Sequence, residues 1–283
     1  MSELISHSPP KVGGRASIAT AMTHPVAAVA RSASFTHGVY SQMHRLDLAS
    51  FQALRSYRTF NPASPVHLVS DGGDDLACLA EAFHCHYVHE PVNNGTYRRR
   101  HAGTNQYVWI TRLYQACLTT LAGVDWVLIL ESDVECFRAP SCLPRFPLSG
   151  GPHGSAWSAP MQVFLSQKWG QLVRRGGLGY CYRGCGGSIF HREAFIESYS
   201  ALEYSVFEQG CQLDPRVMIA EDAALSFVLQ FNGFDNGPWE ELARADNAMK
   251  HTHAFAHGNK SNYHKPIPGL LENEATGPLR ASP

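Results

Sequence analysis

The run Trp126-Val127-Leu128-Ile129-Leu130 is uninterrupted, β-prone and tightly bounded, by Gly123 before it and by Glu131 and Asp133 after it. A short apolar run of this kind reads as a strand buried on both faces, which calls for a sheet covered by helices on each side. The upstream pattern agrees. Ser34 to Tyr40 reads as a first strand. Leu46, Leu48, Phe51, Leu54 and Tyr57 stand at helical spacing, predicting a helix over 46–60 that Pro62 and Pro65 stop. Val66 to Val69 reads as strand, Asp71-Gly72-Gly73-Asp74 as turn and helix cap, Asp75 to Phe83 as helix, and His86 to His89 as strand. Val108 to Leu121 carries Trp109, Leu113, Cys117 and Leu121 along one stripe, predicting the helix that leads into the central run. Alternating strands and helices predict an α/β chain with a parallel sheet of βαβ units.

The rest of the chain is less regular. Pro91 to Gly103 is polar, holds Arg98-Arg99-Arg100 and reads as a loop. Pro140 to Pro160 reads as irregular, and Gly176 to Gly187 is dense in glycine. Ser188 to Phe190 predicts a short strand, Arg192 to Tyr199 a helix, and Ile219 to Phe231 a helix near Glu221-Asp222. His251 and His253 alternate as they would on one face of a strand. Four segments follow: a tail or targeting segment over 1–32, a first half over 33–140, a second half over 141–265, and an extended end over 266–283. The first segment is rich in Ser and Ala, with Arg15, Arg31 and the single acid Glu3, which suits either a disordered tail or an organellar transit peptide.

Composition removes several classes. The 283 residues carry a formal net charge of −1, so the basic excess of a non-specific nucleic-acid binder is missing. No run approaches the roughly 20 apolar residues that span a bilayer. The eight cysteines include no CxxC pair, so zinc spacing is absent. Reduced thiols are the expected state and suit the cytoplasm. A disulfide from Cys181 to Cys185 or Cys211 stays open.

Several residues carry candidate chemistry. Glu131 and Asp133 stand at the carboxyl end of the central strand, where open α/β sheets bind ligands. Their oxygens suit Mn²⁺ or Mg²⁺, which bridges the phosphates of a nucleoside diphosphate. Asp71 ends the strand one unit upstream and can accept from the N3–H of uracil or cap a helix. Cys185-Gly186-Gly187-Ser188 offers backbone unobstructed by Cβ atoms. Glu221-Asp222 opens a helix, where acids are favoured by the dipole or act in proton transfer. The segment His251 to Lys260 holds His253 and His257 as rival metal ligands. Trp157, Trp169 and Trp239 suit either the core or a sugar-stacking platform.

Taken together, a strand ending in Asp71-Gly72-Gly73, a basic loop, a helix bearing Arg112 and a hydrophobic strand running into Glu131-Ser132-Asp133 resemble the nucleotide-binding half of GT-A glycosyltransferases. The resemblance covers roughly 34–137. It implies a GT-A fold with a Rossmann-like mixed or parallel central sheet flanked by helices. It further implies transfer of a sugar from a nucleoside-diphosphate donor, UDP-linked, to a hydroxyl on a glycan, protein or small molecule. Asp133 is then the firmest ligand of Mn²⁺ or Mg²⁺, with Glu131 and His257 or His253 beside it. Asp71, Arg112, Ser132, Gly187 and Lys260 contact the donor. Asp222 acts as general base, supported by Glu221, and gives inversion, with a retaining path as fallback. Glu131 departs from the Asp that opens the motif in that superfamily. It also disfavours a phosphatase that needs an Asp nucleophile there. Two rivals share the layout: a sugar-phosphate nucleotidyltransferase, whose Gly-rich loop has only Val12-Gly13-Gly14-Arg15 as a counterpart, and a non-catalytic nucleotide- or carbohydrate-binding module.

Overall fold

A computed structural model describes residues 36–90, 106–151, 154–169, 180–181 and 186–268. The chain runs β1 (His37–Met43), α1 (Leu48–Phe60), β2 (Val66–Asp71), α2 (Ala77–Ala82), β3 (His86–Glu90), α3 (Tyr107–Leu118), β4 (Trp126–Ile129), β5 (Val134–Cys136) and β6 (Leu148–Gly150). It continues β7 (Ser155–Ala156), α4 (Ala159–Trp169), β8 (Tyr180–Cys181), β9 (Ile189–His191), α5 (Arg192–Ser200), α6 (Tyr204–Leu213) and α7 (Arg216–Ile219). The last elements are α8 (Glu221–Phe231), β10 (Asn236–Pro238), β11 (Leu242–Arg244) and β12 (Phe255–His257).

Seven strands form the main sheet in the order β10-β6-β9-β4-β1-β2-β3. Only β9 runs antiparallel to its neighbours β4 and β6. This is the mostly parallel α/β sheet that the strand–helix alternation predicts. Two cores lie on its two faces, and successive residues alternate between them. From β4, Val127 and Ile129 join α3, α5 and α8, whereas Leu128 packs with α1 and α2. From β9, Phe190 goes to the first core and Ile189 to the second. Double burial explains why β4 is apolar at every position rather than at every other one. A smaller sheet, β11-β12-β5, sits beside the acidic end of β4.

The structure departs from the sequence expectations at several elements. Strand β2 runs through Asp71, so the Asp71–Asp74 turn does not cap a helix. The helix begins at Ala77, and its N-cap Leu76 makes no side-chain bond. Gly72 takes φ +64°, and a Cβ on Gly73 would lie 2.1 Å from the carbonyl oxygen of His44. The glycines therefore let the β1–α1 loop cross directly over the end of β2. The segment 140–160 is not irregular throughout, since β6 lies within it and joins the main sheet. Three residues, Leu-Ser-Gly, leave no periodic trace. The helix expected over 219–231 is two helices, broken at Ala220, whose φ −135° and ψ 122° are extended. Residues 250–252 form a 3₁₀ turn, so His251 and His253 do not share a strand face. Trp157 and Trp239 are each 2 % exposed and belong to the cores, not to a sugar platform. Cys211 is a free thiol, which removes it as a disulfide partner. The 1–32 tail, Arg98–Arg100 and Cys185 fall outside the described residues. Among the described residues no helix is long and apolar enough to cross a membrane.

Burial in the β1–β2 region has a consequence for pH. His67 is sandwiched between Tyr40 and His86, at centroid distances of 5.8 and 4.8 Å, with Nδ1 3.0 Å from Thr120 Oγ1. Burial, and then the neighbouring His86, lower its pKa from 6.5 to about 4. Burial outweighs a hydrogen bond with Asn61 and brings His37 to about 4 as well. The unfolded chain therefore takes up these protons first. The stability the neutral rings contribute is complete above about pH 6.5 and is lost as pH falls through about 4, at up to about 1.4 kcal/mol per pH unit for each ring. Melting temperature is expected to drop between about pH 7 and about pH 5. In His67→Gln that drop should shrink; an unchanged drop would remove His67 as a cause.

Candidate active site

Strand β4 carries the chain to Glu131, and a tight turn with Val134 N bonded to Glu131 O starts β5. The antiparallel pairing of β5 with β12 sets His257 opposite Val134. That register swings the imidazole over the turn. His257 Nε2 lies 3.4 Å from Asp133 Oδ1 and 3.6 Å from Glu131 Oε2. One ligand atom from each of the three residues falls within 4.8 Å of the others. His253 precedes β12, its Nδ1 sits 2.7 Å from Glu240 O, and it is not in this cluster.

Asp133 is 4 % exposed, and its Oδ1 is buried with no hydrogen-bond partner among the described residues. A buried, unsatisfied carboxylate oxygen costs stability unless something compensates it. Burial alone would raise the Asp133 pKa, but His257 and then Lys260 outweigh burial and hold it below the usual carboxylate range. Two carboxylates and an imidazole, one oxygen orphaned, fit a divalent cation such as Mn²⁺ or Mg²⁺.

The cluster opens into a cleft of about 540 Å³. Tyr40, Gln42, Trp109, Arg45, Lys260 and Glu221 line it, Arg45 from the β1–α1 loop and Lys260 from the segment after β12. Neither Arg45 nor Lys260 makes a side-chain hydrogen bond or a close ion pair among the described residues, and Lys260 acts on Asp133 through its field alone. The segment 258–265 is tied down around them. Gly258 N and Asn259 N donate to Asp133 O, and His264 N donates to Asp47 Oδ2. Ser132 Oγ donates to Tyr263 OH at 3.3 Å.

Other candidates from the sequence fall differently. Asp71 is fully buried, with Oδ2 3.0 Å from Arg112 Nη1 and 3.4 Å from Gln42 Nε2. Neither Asp71 nor Arg112 lines the cleft; Gln42 does, with its Oε1 accepting from Tyr40 OH at 3.2 Å. Of the acidic pair on α8, Glu221 lines the cleft, while Asp222 Oδ1 accepts from Ala223 N at 2.8 Å. Gly187 is buried at φ +83°, and a Cβ there would meet Leu242 Cδ1 at 2.4 Å. Its need for glycine follows from its positive φ and from this packing.

Sequence reasoning missed Gln42, Arg45, Tyr263 and the role of Gly186. Arg45 follows β1, a place where α/β sheets hold ligand-binding loops, but a single Arg in a loop has no pattern to detect. A Cβ on Gly186 would lie 2.6 Å from Val134 Cγ2 and 3.0 Å from both Glu131 Cβ and His257 Cδ2. Gly186→Ala is therefore expected to push two members of the cluster apart and weaken Mn²⁺ binding by about tenfold, as displaced ligand support does elsewhere. Calorimetric titration with Mn²⁺ measures this; unchanged affinity would show that the cluster absorbs the methyl group.

No known protein family matches the chain, and no curated protein matches it. Similar solved structures include galactosyltransferase LgtC in complex with donor and acceptor sugar analogs, at 14 % identity and TM-score 0.45, covering 78 % of this chain and 86 % of that one. An active-site mutant of LgtC is 12 % identical with TM-score 0.46, covering 88 % and 98 %. A cytidylyltransferase from Leptospira borgpetersenii serovar Hardjo-bovis is 10 % identical with TM-score 0.38, covering 72 % and 76 %. These likenesses are too distant to assign an activity, and the functional reading rests on the site itself.

Proposed function

We propose that this chain is a metal-dependent glycosyltransferase that uses a nucleoside-diphosphate sugar, UDP-linked, and delivers the sugar to a hydroxyl acceptor. One observation carries the reading: Glu131, Asp133 and His257 converge within 4.8 Å at the end of the central strand, in a cleft that Arg45 and Lys260 also line. Asp133, Glu131 and His257 would hold the cation. The chemistry supplied by bound Mn²⁺ or Mg²⁺ at this site is neutralisation of charge on a departing diphosphate.

The chain's own groups do the rest. Lys260 and Arg45 attract the donor's phosphates from two loops. Gln42 meets the base, with Asp71 orienting its amide and Arg112 holding Asp71; Asp71 thus acts through Gln42. Trp109 and Tyr40 wall the cleft and exclude water. Glu221 takes the role of general base, accepting the proton of the acceptor hydroxyl as that oxygen attacks, with inversion at the sugar carbon. Asp222 supports the turn that starts α8.

Thermal-shift measurement with UDP, GDP, CDP and ADP, each with and without Mn²⁺, tests the reading. A ligand that binds only the native state at 100 times its Kd adds about 2.7 kcal/mol, which gives a rise of several degrees. The rise should need both Mn²⁺ and nucleotide and be largest with UDP. Absence of any manganese-dependent shift would overturn the proposal. For Glu221→Gln, donor binding should persist while transfer falls by about 100-fold or more. If Asp222→Asn shows that loss instead, the base assignment returns to Asp222.

A further inference from the structure

A second recess lies across the acidic turn from the donor cleft, between α1 and the 258–265 segment, with a volume of about 290 Å³. Ser132 and Asp133 line both spaces. Three observations mark the recess. Phe60, the last residue of α1, is 40 % exposed at its edge. The side chain of Arg55, also on α1, makes no hydrogen bond or ion pair among the described residues, although those of Arg58, Arg112, Arg138, Arg145, Arg192 and Arg216 all do. The amides around it are braced, with Asn259 Oδ1 accepting from Ser261 N and Oγ and Asn262 Oδ1 from Lys265 Nζ. Asn262 Nδ2 donates to Gln52 Oε1, and Asn259 Nδ2 donates to Glu135 Oε2 at 3.5 Å. Gln52 keeps two N–H donors and Glu135 an unused oxygen among the described residues.

We infer that this recess is a carbohydrate-binding subsite that holds one pyranose ring. A pyranose has an apolar C–H face and a rim of hydroxyls, each both donor and acceptor. Phe60 supplies an aromatic surface for the apolar face. Arg55, Gln52 and Glu135 supply planar donor and acceptor groups for the rim. The braced amides lose little freedom on binding, which lowers the cost of association. An anion would meet Glu135 and the buried Asp133, and an apolar ligand would strand the polar groups, so a neutral sugar fits best. The subsite does not depend on the donor assignment. It would grip a sugar unit of a glycan while another part of that glycan lies elsewhere.

Saturation-transfer NMR with methyl α-D-glucopyranoside, methyl β-D-galactopyranoside and methyl α-D-mannopyranoside tests this. At least one glycoside should receive transfer at its ring C–H protons, and the signal should persist when UDP and Mn²⁺ are added. Phe60→Ala should weaken affinity about fivefold or more, the equivalent of a lost aromatic contact. Arg55→Gln, on an exposed position that leaves the fold intact, should weaken it as well. The inference is overturned if no glycoside receives transfer, if UDP with Mn²⁺ displaces it, or if both variants bind as the parent does. Ring transfer without any manganese-dependent nucleotide shift would sink the donor reading and leave the subsite standing.

Discussion

Replacing Asp133 by alanine is expected to abolish the Mn²⁺-dependent response to nucleotide and to lower sugar transfer by at least about 100-fold. Removing even an outlying support of a metal ligand costs about 10- to 100-fold, and Asp133 is the most buried residue of the three. In the metal-free protein the same change should cost a little stability. Asp133 is buried, but His257 and Lys260 hold its pKa below the usual carboxylate range, so the charged form is favoured in the folded state even without a cation. Melting temperature without metal should therefore fall slightly, and the gap between samples with and without Mn²⁺ should close. A variant that still responds to Mn²⁺ and nucleotide would remove the metal assignment. One that merely unfolds would show Asp133 to be a packing residue.

The largest effect on stability is expected at Glu241, a residue without any sequence signal. It is 1 % exposed and gathers donors from the 138–142 loop: Ser141 N at 2.7 Å, Cys142 N at 3.0 Å, Ser141 Oγ at 2.7 Å and the Arg138 guanidinium. Burial would raise its pKa, but the bonds from Cys142, Arg138 and Ser141 outweigh burial and bring it from 4.5 down to about 2. Glu241→Ala leaves the buried Ser141 and Cys142 amides without this acceptor, while the Arg138 guanidinium keeps Ala139 O, Ser141 Oγ and Thr252 O. Leaving a buried donor unsatisfied costs about 1–3 kcal/mol, and two are stranded here. For a chain of this size that lowers the melting temperature by roughly 10 °C. Since the folded pKa is depressed, the carboxylate's contribution is complete above about pH 4.5 and lost as pH falls through about 2. The difference between parent and variant should narrow over that window. A difference of less than about 1 kcal/mol at neutral pH would mean that water replaces the carboxylate in the loop.

Much of the architecture was legible in the sequence because it follows from local periodicity. The helix at α1 shows its apolar stripe at Leu54 and Tyr57, and β4 shows unbroken apolarity because both its faces are covered. The acidic end of β4 was legible for the same reason, since a strand's end is local information. Short strands such as β6 and β10 carry too few residues to show a period, so the seven-strand order could not be read along the chain. His253 and His257 looked equivalent in sequence. Choosing between them took the pairing of β12 with β5, a contact across more than a hundred residues.

By itself, then, the chain of residues determined an α/β sheet with two carboxylates at the tip of its innermost strand. Backbone hydrogen bonding and side-chain burial are imprinted at spacings of two and 3.6 residues. Tertiary structure alone decided that His257 joins those carboxylates, that Asp71 is locked to Arg112 beneath the cleft while Gln42 faces it, and that Glu221 rather than Asp222 reaches the opening. Each of these is a matter of direction in space. A side chain's direction depends on how distant strands pair and loops cross, and that information is absent from any local window of sequence.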